Sequence, residues 1–531
     1  GYGDNSGSLS FKLYVLRNYS VSTSSTDTVT SCDPYTWTNG VTYTTSNNTA
    51  TDTFVNAAGC DSIITLNLTV ASGTWTLQGL DIDGEAAGDY SGKSVSISSD
   101  GSTVAIGSRN NDDNGTDAGH VRIYKNVSGT WTQQGSDIDG EAAGDLSGNS
   151  VSLSSDGSTV AIGAIWNDGN GTDAGHVRIY KNVSGTWTQQ GSDIDGEAAV
   201  DYSGWSVSLS SDGSTVAIGA IYNDGNGADA GHVRIYKNIS GTWTQQGSDI
   251  DGEAAGDFSG NSVSLSSDGS TVAIGAFGND GNGAGAGHVR IYKNVSGTWT
   301  QQGSDIDGEA AGDASGRPVS LSSDGSTVAI GAIGNDGNGA DAGHVRIYKN
   351  TSGTWTQVGA DIDGEAAGDN SGFSVSLSSD GSTVAIGAVG NDGNGSSAGH
   401  VRIYKNVSGT WTLQGSDIDG EAAGDASGRS VSLSSDGSTV AIGAIGNDGN
   451  GAGAGHVRVY SIGSTGSTGS TSTDTITSCD PYTWTNGVTY TTSNNTATET
   501  FVNAAGCDSI VTLNLTITSP PSIYTEDSVI C

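Results

Sequence analysis

Residues 150–191 read "SVSLSSDGSTVAIGAIWNDGNGTDAGHVRIYKNVSGTWTQQG" and hold four short strand-like stretches. SVSLS from Ser150 and TVAIGA from Thr159 alternate large apolar residues with small or polar ones, the period of a pleated strand. HVRIY from His176 and TWTQQG from Thr186 follow. The Asp-Gly of SSDGST is a two-residue hairpin signal between the first two strands. The small residues of AIGA permit close packing where strands crowd together. One such stretch predicts a four-stranded antiparallel sheet.

The stretch recurs. DIDGEAA starts at Asp81, Asp137, Asp193, Asp249, Asp305, Asp361 and Asp417, a constant spacing of 56 residues. Seven copies of a four-stranded unit predict an all-β fold, a seven-bladed β-propeller. The ends of the array point the same way. The first TWT, around Trp75, precedes any complete blade, while the last HVRVY, ending at Tyr460, has no TWT after it. The fourth strand of the last blade is therefore expected from the N-terminal side, which closes the ring and removes its open edges.

The 531 residues include 84 Gly, 5 Pro and no Met, with a formal charge of −39. That composition argues against helices and suits short strands and tight turns. With 19 Lys and Arg against 58 Asp and Glu, so negative a chain repels a phosphate backbone, which argues against nucleic acid as a partner. No apolar run reaches the length of a membrane span. The predicted organisation is the end of an upstream β domain (1–24), a small β module (25–70), the propeller (71–462), a Gly/Ser/Thr linker (463–472), a second copy of the module (473–519) and the start of a truncated third (520–531). The chain opens without Met and in mid-domain, so it is read as a piece of a longer surface polypeptide. Each complete module holds one cysteine pair, Cys32 with Cys60 and Cys479 with Cys507, and no His to complete a metal site. The expected pairings are two disulfides, hence an oxidising, extracellular setting, secreted or at the cell surface.

The blade line "DLSGNSVSLSSDGSTVAIGA…AGHVRIY" resembles FG-GAP repeats, the blades of integrin-α-like propellers, with SGNSV, AIGA and GHVRIY in the family's three motif places. The Cys-bearing modules resemble those of secreted, surface-displayed proteins of Bacteroidetes, especially gliding flavobacteria. These resemblances imply a propeller fold and an adhesin or secretion-system cargo. One departure matters: the family's calcium loop lies between the first and second strands, where this chain has only the SSDGST turn.

Strand alternation puts the crossover DIDGEAAGD and the loop NDGNGTDAG between strands two and three on one face, here called the top. The candidate metal ligands there are Asp137, Asp139, Glu141, Asp145, Asp168, Asn170 and Asp173, with their equivalents in other blades. They offer the oxygens that calcium takes, yet neither loop fits the EF-hand spacing. Solvated acidic turns that keep the protein soluble are the alternative reading. The seven His opening each third strand are read as scaffold, hydrogen-bonded to the neighbouring crossover, and the Arg two residues on as structural partners of nearby acids. Seven equivalent carboxylate sets give no unique catalytic centre, and no nucleophile–base arrangement stands out.

Against this regularity a few positions vary. Tyr90, Leu146, Tyr202, Phe258, Ala314, Asn370 and Ala426 occupy one of them; Lys93, Asn149, Trp205, Asn261, Arg317, Phe373 and Arg429 another. Arg109, Trp166, Tyr222 and Phe277 mark a third. The predicted ligand patch is Tyr90, Trp166, Tyr202, Trp205, Tyr222 and Phe258, since exposed aromatics suit sugar stacking and protein hot spots. Neutral drift of loop residues is the competing explanation. The function expected is non-catalytic adhesion or binding of an extracellular glycan or protein. The alternatives are a structural spacer of a long surface fibre and, third, a propeller-type lyase or glycosidase.

Overall fold

A computed structural model describes residues 24–31, 35–43, 47–55, 61–70, 73–463, 472–478, 482–483, 488–502 and 508–517. All regular elements among these are strands. The chain divides into two compact units, one made of residues 1–72 with 464–531, the other of Gly73–Gly463. In the first unit Ser24–Ser31 runs parallel to Asp61–Val70, whose other edge carries Thr51–Val55 antiparallel. Trp37, Leu66 and Leu68 form its small core, and the Trp37 indole donates to Asp27 Oδ2 at 2.7 Å. Ser472–Ser478, Thr498–Val502 and Asp508–Ile517 pair in the same pattern. The four cysteines of the expected disulfides, and Cys531, lie outside the described residues.

The second unit consists of repeated four-stranded antiparallel sheets arranged as a propeller. In the second repeat the order from the inside is Ser147–Leu153, Thr159–Ala164, His176–Val183 and Thr186–Gln189. The outer edge does not stop there. Ile194–Asp195 returns to the same edge of the third strand, with Asp195 opposite His176. The first residues of DIDG are thus not crossover, as the sequence suggested, but the resumed half of an outer strand that bulges at residues 190–193. Seven such sheets occur among the described residues, and the last recruits Thr74–Leu77, with Trp75 opposite Ile462 and Leu77 opposite Tyr460.

Alternation along each strand builds the contacts between sheets. Val151, Leu153, Val160 and Ile162 of one sheet pack on Ala105, Val121, Ile123 and Ile138 of the preceding one. The junction between last and first sheets is equivalent, with Val457, Val459 and Ala441 against Val95, Ile97, Val104 and Ile106. Fully burying an aliphatic side chain is worth about 1.5–3 kcal/mol, so these layers supply most of the cohesion.

Polar groups then tie neighbours in closed cycles. At the bottom, the Ser99 N–H donates to the Ser155 carbonyl, Ser155 to Ser211, and so on to Ser435, whose N–H donates to Ser99 at 2.9 Å. On the outside each Trp Nε1–H donates to a carbonyl of the preceding sheet, as Trp187 does to Gln134 at 2.7 Å. Trp75 closes that cycle on Gln414, also at 2.7 Å. The approach of inner strands is so close that only glycine fits in AIGA: a Cβ on Gly163 would lie 2.1 Å from the Gly204 carbonyl oxygen.

Candidate functional site

Two features share the top face. The first is built by a bulge. Register between the first two strands slips between Ser147 and Ser150, and likewise between Ser203 and Ser206, Ser371 and Ser374, and Ser427 and Ser430. A bulge re-aims the residues it contains. Here it carries the variable Asn149, Trp205, Phe373 and Arg429 at the upper end of the inner strands. Neighbouring members touch around the channel mouth: Asn149 Nδ2 donates to the Trp205 carbonyl at 3.2 Å and Asn261 Nδ2 to that of Arg317 at 2.6 Å.

The other variable positions continue this rim into a single band. Ring centroids step from Trp166 to Tyr202 (6.4 Å), Tyr222 (4.9 Å), Phe258 (5.7 Å) and Phe277 (5.1 Å). The Arg317 guanidinium then lies 5.8 Å from the Phe277 ring and 5.5 Å from Phe373, over which Arg429 sits at 4.5 Å. Of the predicted patch, Trp166, Tyr202, Tyr222 and Phe258 therefore come together. Tyr90 and Trp205 do not join them: Tyr90 lies against Gly453 of the last sheet, and Trp205 belongs to the axial rim. Trp166 is 42% exposed, and its partners are half-buried. Tyr202 and Phe258 hold left-handed backbone, φ 54° and 55°, which a bulky residue adopts at a steric cost.

Four cations converge at this mouth. Burial first, and then Arg429, Arg109 and Arg317, push the Lys93 ammonium well below its ordinary range. Burial, with Arg109 and Arg317, lowers Arg429 to about 10. Arg109 donates to Asn149 Oδ1 at 3.3 Å and Asn110 Oδ1 at 3.2 Å. Among the described residues none of the four forms a salt bridge with a carboxylate, whereas the strand arginines such as Arg178 do, 3.6 Å from Glu141. Sequence reasoning noted these positions as variable but read only their aromatics.

The second feature repeats at every junction. The predicted oxygen ligands do not form one group. Asp145 is buried and caps the crossover, accepting from the Glu141 and Ala142 amides at 3.1 and 3.0 Å and from Asn167 Nδ2 at 3.2 Å. Asp168 accepts the Asp173 amide at 2.8 Å, and Asn170 donates to the Gly196 carbonyl at 2.8 Å. Asp139 offers its carbonyl to Arg178 at 2.6 Å, and burial raises its carboxyl. Asp137 and Glu141 instead face different histidines, His120 at 3.9 Å and His176 at 3.9 Å. These histidines are almost wholly buried and make no hydrogen bond to the crossover, contrary to expectation. Burial, then the arginine two residues on, lowers His120, His176, His232 and His456 to about 4, so the rings are neutral at neutral pH.

Residues 81–124, 131–180 and 187–236 match the FG-GAP repeat family. These three segments of the propeller are FG-GAP-like repeats. No curated protein matches the sequence. Among solved structures, a periplasmic gluconolactonase of Pseudomonas aeruginosa is similar at 16% identity, over 62% of this chain and 85% of that one, with a TM-score of 0.43. A Bacteroides uniformis protein provisionally named a 6-phosphogluconolactonase is similar at 13% identity, with the same coverage and TM-score.

Proposed function

We propose that this chain is a non-catalytic ligand-binding protein, an adhesin module of the secreted or cell-surface kind, whose seven-bladed, integrin-α-like ring presents its top face to an acidic glycan. The supporting observation is the continuous band from Trp166 to Arg429, completed by Lys93, in a ring otherwise written seven times over. Half-exposed aromatic rings offer flat apolar area at low entropic cost. Among the described residues the adjoining cations form no salt bridge, and neighbouring arginines disfavour the charges of Lys93 and Arg429, so a bound anion relieves a strain already present. A uronic-acid or sulfated oligosaccharide satisfies both parts, with sugar faces on the rings and the acid group at the mouth. The chain's overall negative charge repels such a ligand at long range, but screening cuts that off beyond about 8 Å at physiological salt.

The test is a glycan array at physiological salt. Acidic oligosaccharides are expected to bind and their neutral counterparts to bind more weakly. A spacer of a surface fibre would bind neither.

A further inference from the structure

Each of the seven histidines faces two carboxylates from different segments. His176 Nδ1 lies 3.9 Å from Glu141 Oε2, on the crossover entering its blade, and 3.8 Å from Asp193 Oδ2, in the bulge of its own outer edge. The other six repeat this: Glu85 and Asp137 at His120, Glu197 and Asp249 at His232, and equivalent pairs around to His456 with Glu421 and Asp81. The imidazole is buried, with 0–2% of its side chain exposed, and in His120, His176 and His232 neither ring nitrogen has a hydrogen-bond partner. A buried ring nitrogen without a partner is costly. Here it points between two carboxylate oxygens.

At His176 each acid is also held by its other oxygen. Asp193 Oδ1 accepts from Gln189 Nε2 at 2.5 Å, and Glu141 Oε1 lies 3.6 Å from Arg178. That leaves Oδ2 and Oε2 directed at the ring, as outer-sphere partners orient ligands at metal centres. We infer that each blade junction carries a Glu–His–Asp site for a divalent transition metal, best suited to zinc. One imidazole and two carboxylates with a water complete the four-coordinate set zinc prefers. Bonds of about 2.0–2.1 Å place tetrahedral ligand atoms roughly 3.3 Å apart, so the observed 3.8–3.9 Å at His176 needs a closure of about half an ångström.

The copies differ in ways that rank them. At His120 a fourth ligand appears: Asp113 Oδ2 is 4.0 Å from Nδ1, where the second blade has Gly169. At His400 and His456 the anchoring glutamine is replaced by Leu413 and Leu77, and Asp81 Oδ1 is buried without a partner. The His120 site is the tightest and those two the weakest. Each metal would tie a crossover to an outer edge across a junction.

The experiment titrates the full chain with Co²⁺ in excess Mg²⁺, following visible absorption, and counts bound Zn²⁺ by elemental analysis after gel filtration. More than one equivalent is expected, with one tighter class and an absorption typical of four-coordinate cobalt. Asp113→Gly, an exposed substitution, should abolish only the tighter class, and His176→Gln should remove one equivalent. No stoichiometric metal, or binding unchanged in both variants with no four-coordinate signature, overturns the inference and leaves only loose counter-ions of an acidic protein. Because neither variant touches the top-face band, glycan binding can fail while this holds, and the reverse.

Discussion

The two ends of the propeller channel differ sharply although the same inner strands form both. At the bottom the residues are the same in every blade: a serine passes its N–H to the next serine around the axis, beneath a ring of Leu and Ile. At the top the equivalent rim reads Lys93, Asn149, Trp205, Asn261, Arg317, Phe373, Arg429, seven positions with five residue types. Repetition serves closure, because a cycle of hydrogen bonds completes only if every member has the same geometry. Under the proposed binding role the variation would serve recognition, because a seven-fold identical surface cannot hold an asymmetric ligand in one pose. The bulge allows both in one strand: below it the register is fixed by packing, and within it two residues are released from pairing.

If that division is right, changes in the repeated scaffold and changes in the varied rim should act with opposite sign. The largest effect is expected from removing residues 73–79, which strips the last sheet of its outer strand and opens the cycles through Trp75. Circular-dichroism melting should lose its single cooperative transition; an unchanged melt would break the account of closure. Next, Gly163→Ala forces a Cβ into the Gly204 carbonyl and should cost about 1–3 kcal/mol, the range of overpacking, measured by denaturant titration. Trp243→Phe keeps the ring in place but loses the 2.7 Å bond to the Gln190 carbonyl. It should cost about 0.5–1.5 kcal/mol. At the top, Lys93→Met removes a charge repelled by three arginines and should stabilise the fold by roughly 0.5–2 kcal/mol, as relief of strained functional sites does.

The junction histidines add a pH dependence shared by all blades. Four fold with pKa values of about 4, below the ordinary 6.5. The unfolded chain therefore binds more protons between these values, and stability falls as pH drops. Their contribution is complete above about 6.5 and lost as pH passes down through 4. Glu85, Glu141 and Glu197, raised by burial, act in the opposite sense and blunt the slope. The unfolding midpoint should still decrease from pH 7 to pH 4.5 in chelator. A midpoint that rises over that range would show the imidazoles to be charged in the fold.

Much of this was legible in the sequence. Strand order, the hairpin at SSDGST and the recruitment of Trp75 follow from period, turn chemistry and the unmatched ends of the array. What the sequence concealed is convergence. Glu141 and Asp193 lie 35 residues before and 17 after His176, so their meeting depends on the fold; only the constant recurrence of that spacing hints at it. Arg429 and Lys93 are neighbours only because the last blade closes on the first. Reading blades one by one, the aromatics of the first four stood out, while cations from three distant blades looked unrelated. The resumed outer strand at Ile194–Asp195 escaped notice because two residues carry no periodicity.

Ligand recognition is assigned to the varied top face and not to the uniform bottom. It is tested by measuring, in one calorimetric series, the affinity of a sulfated or uronic-acid oligosaccharide for the unaltered chain, for the top variant Arg317→Ala/Arg429→Ala, and for the bottom-turn variant Asp156→Asn/Asp212→Asn. The top variant should lose at least about tenfold, the 1.4 kcal/mol equivalent of one charge-assisted contact, without a lower melting midpoint, while the bottom variant binds as before. Loss of binding in the bottom variant with full affinity in the top variant would contradict the account.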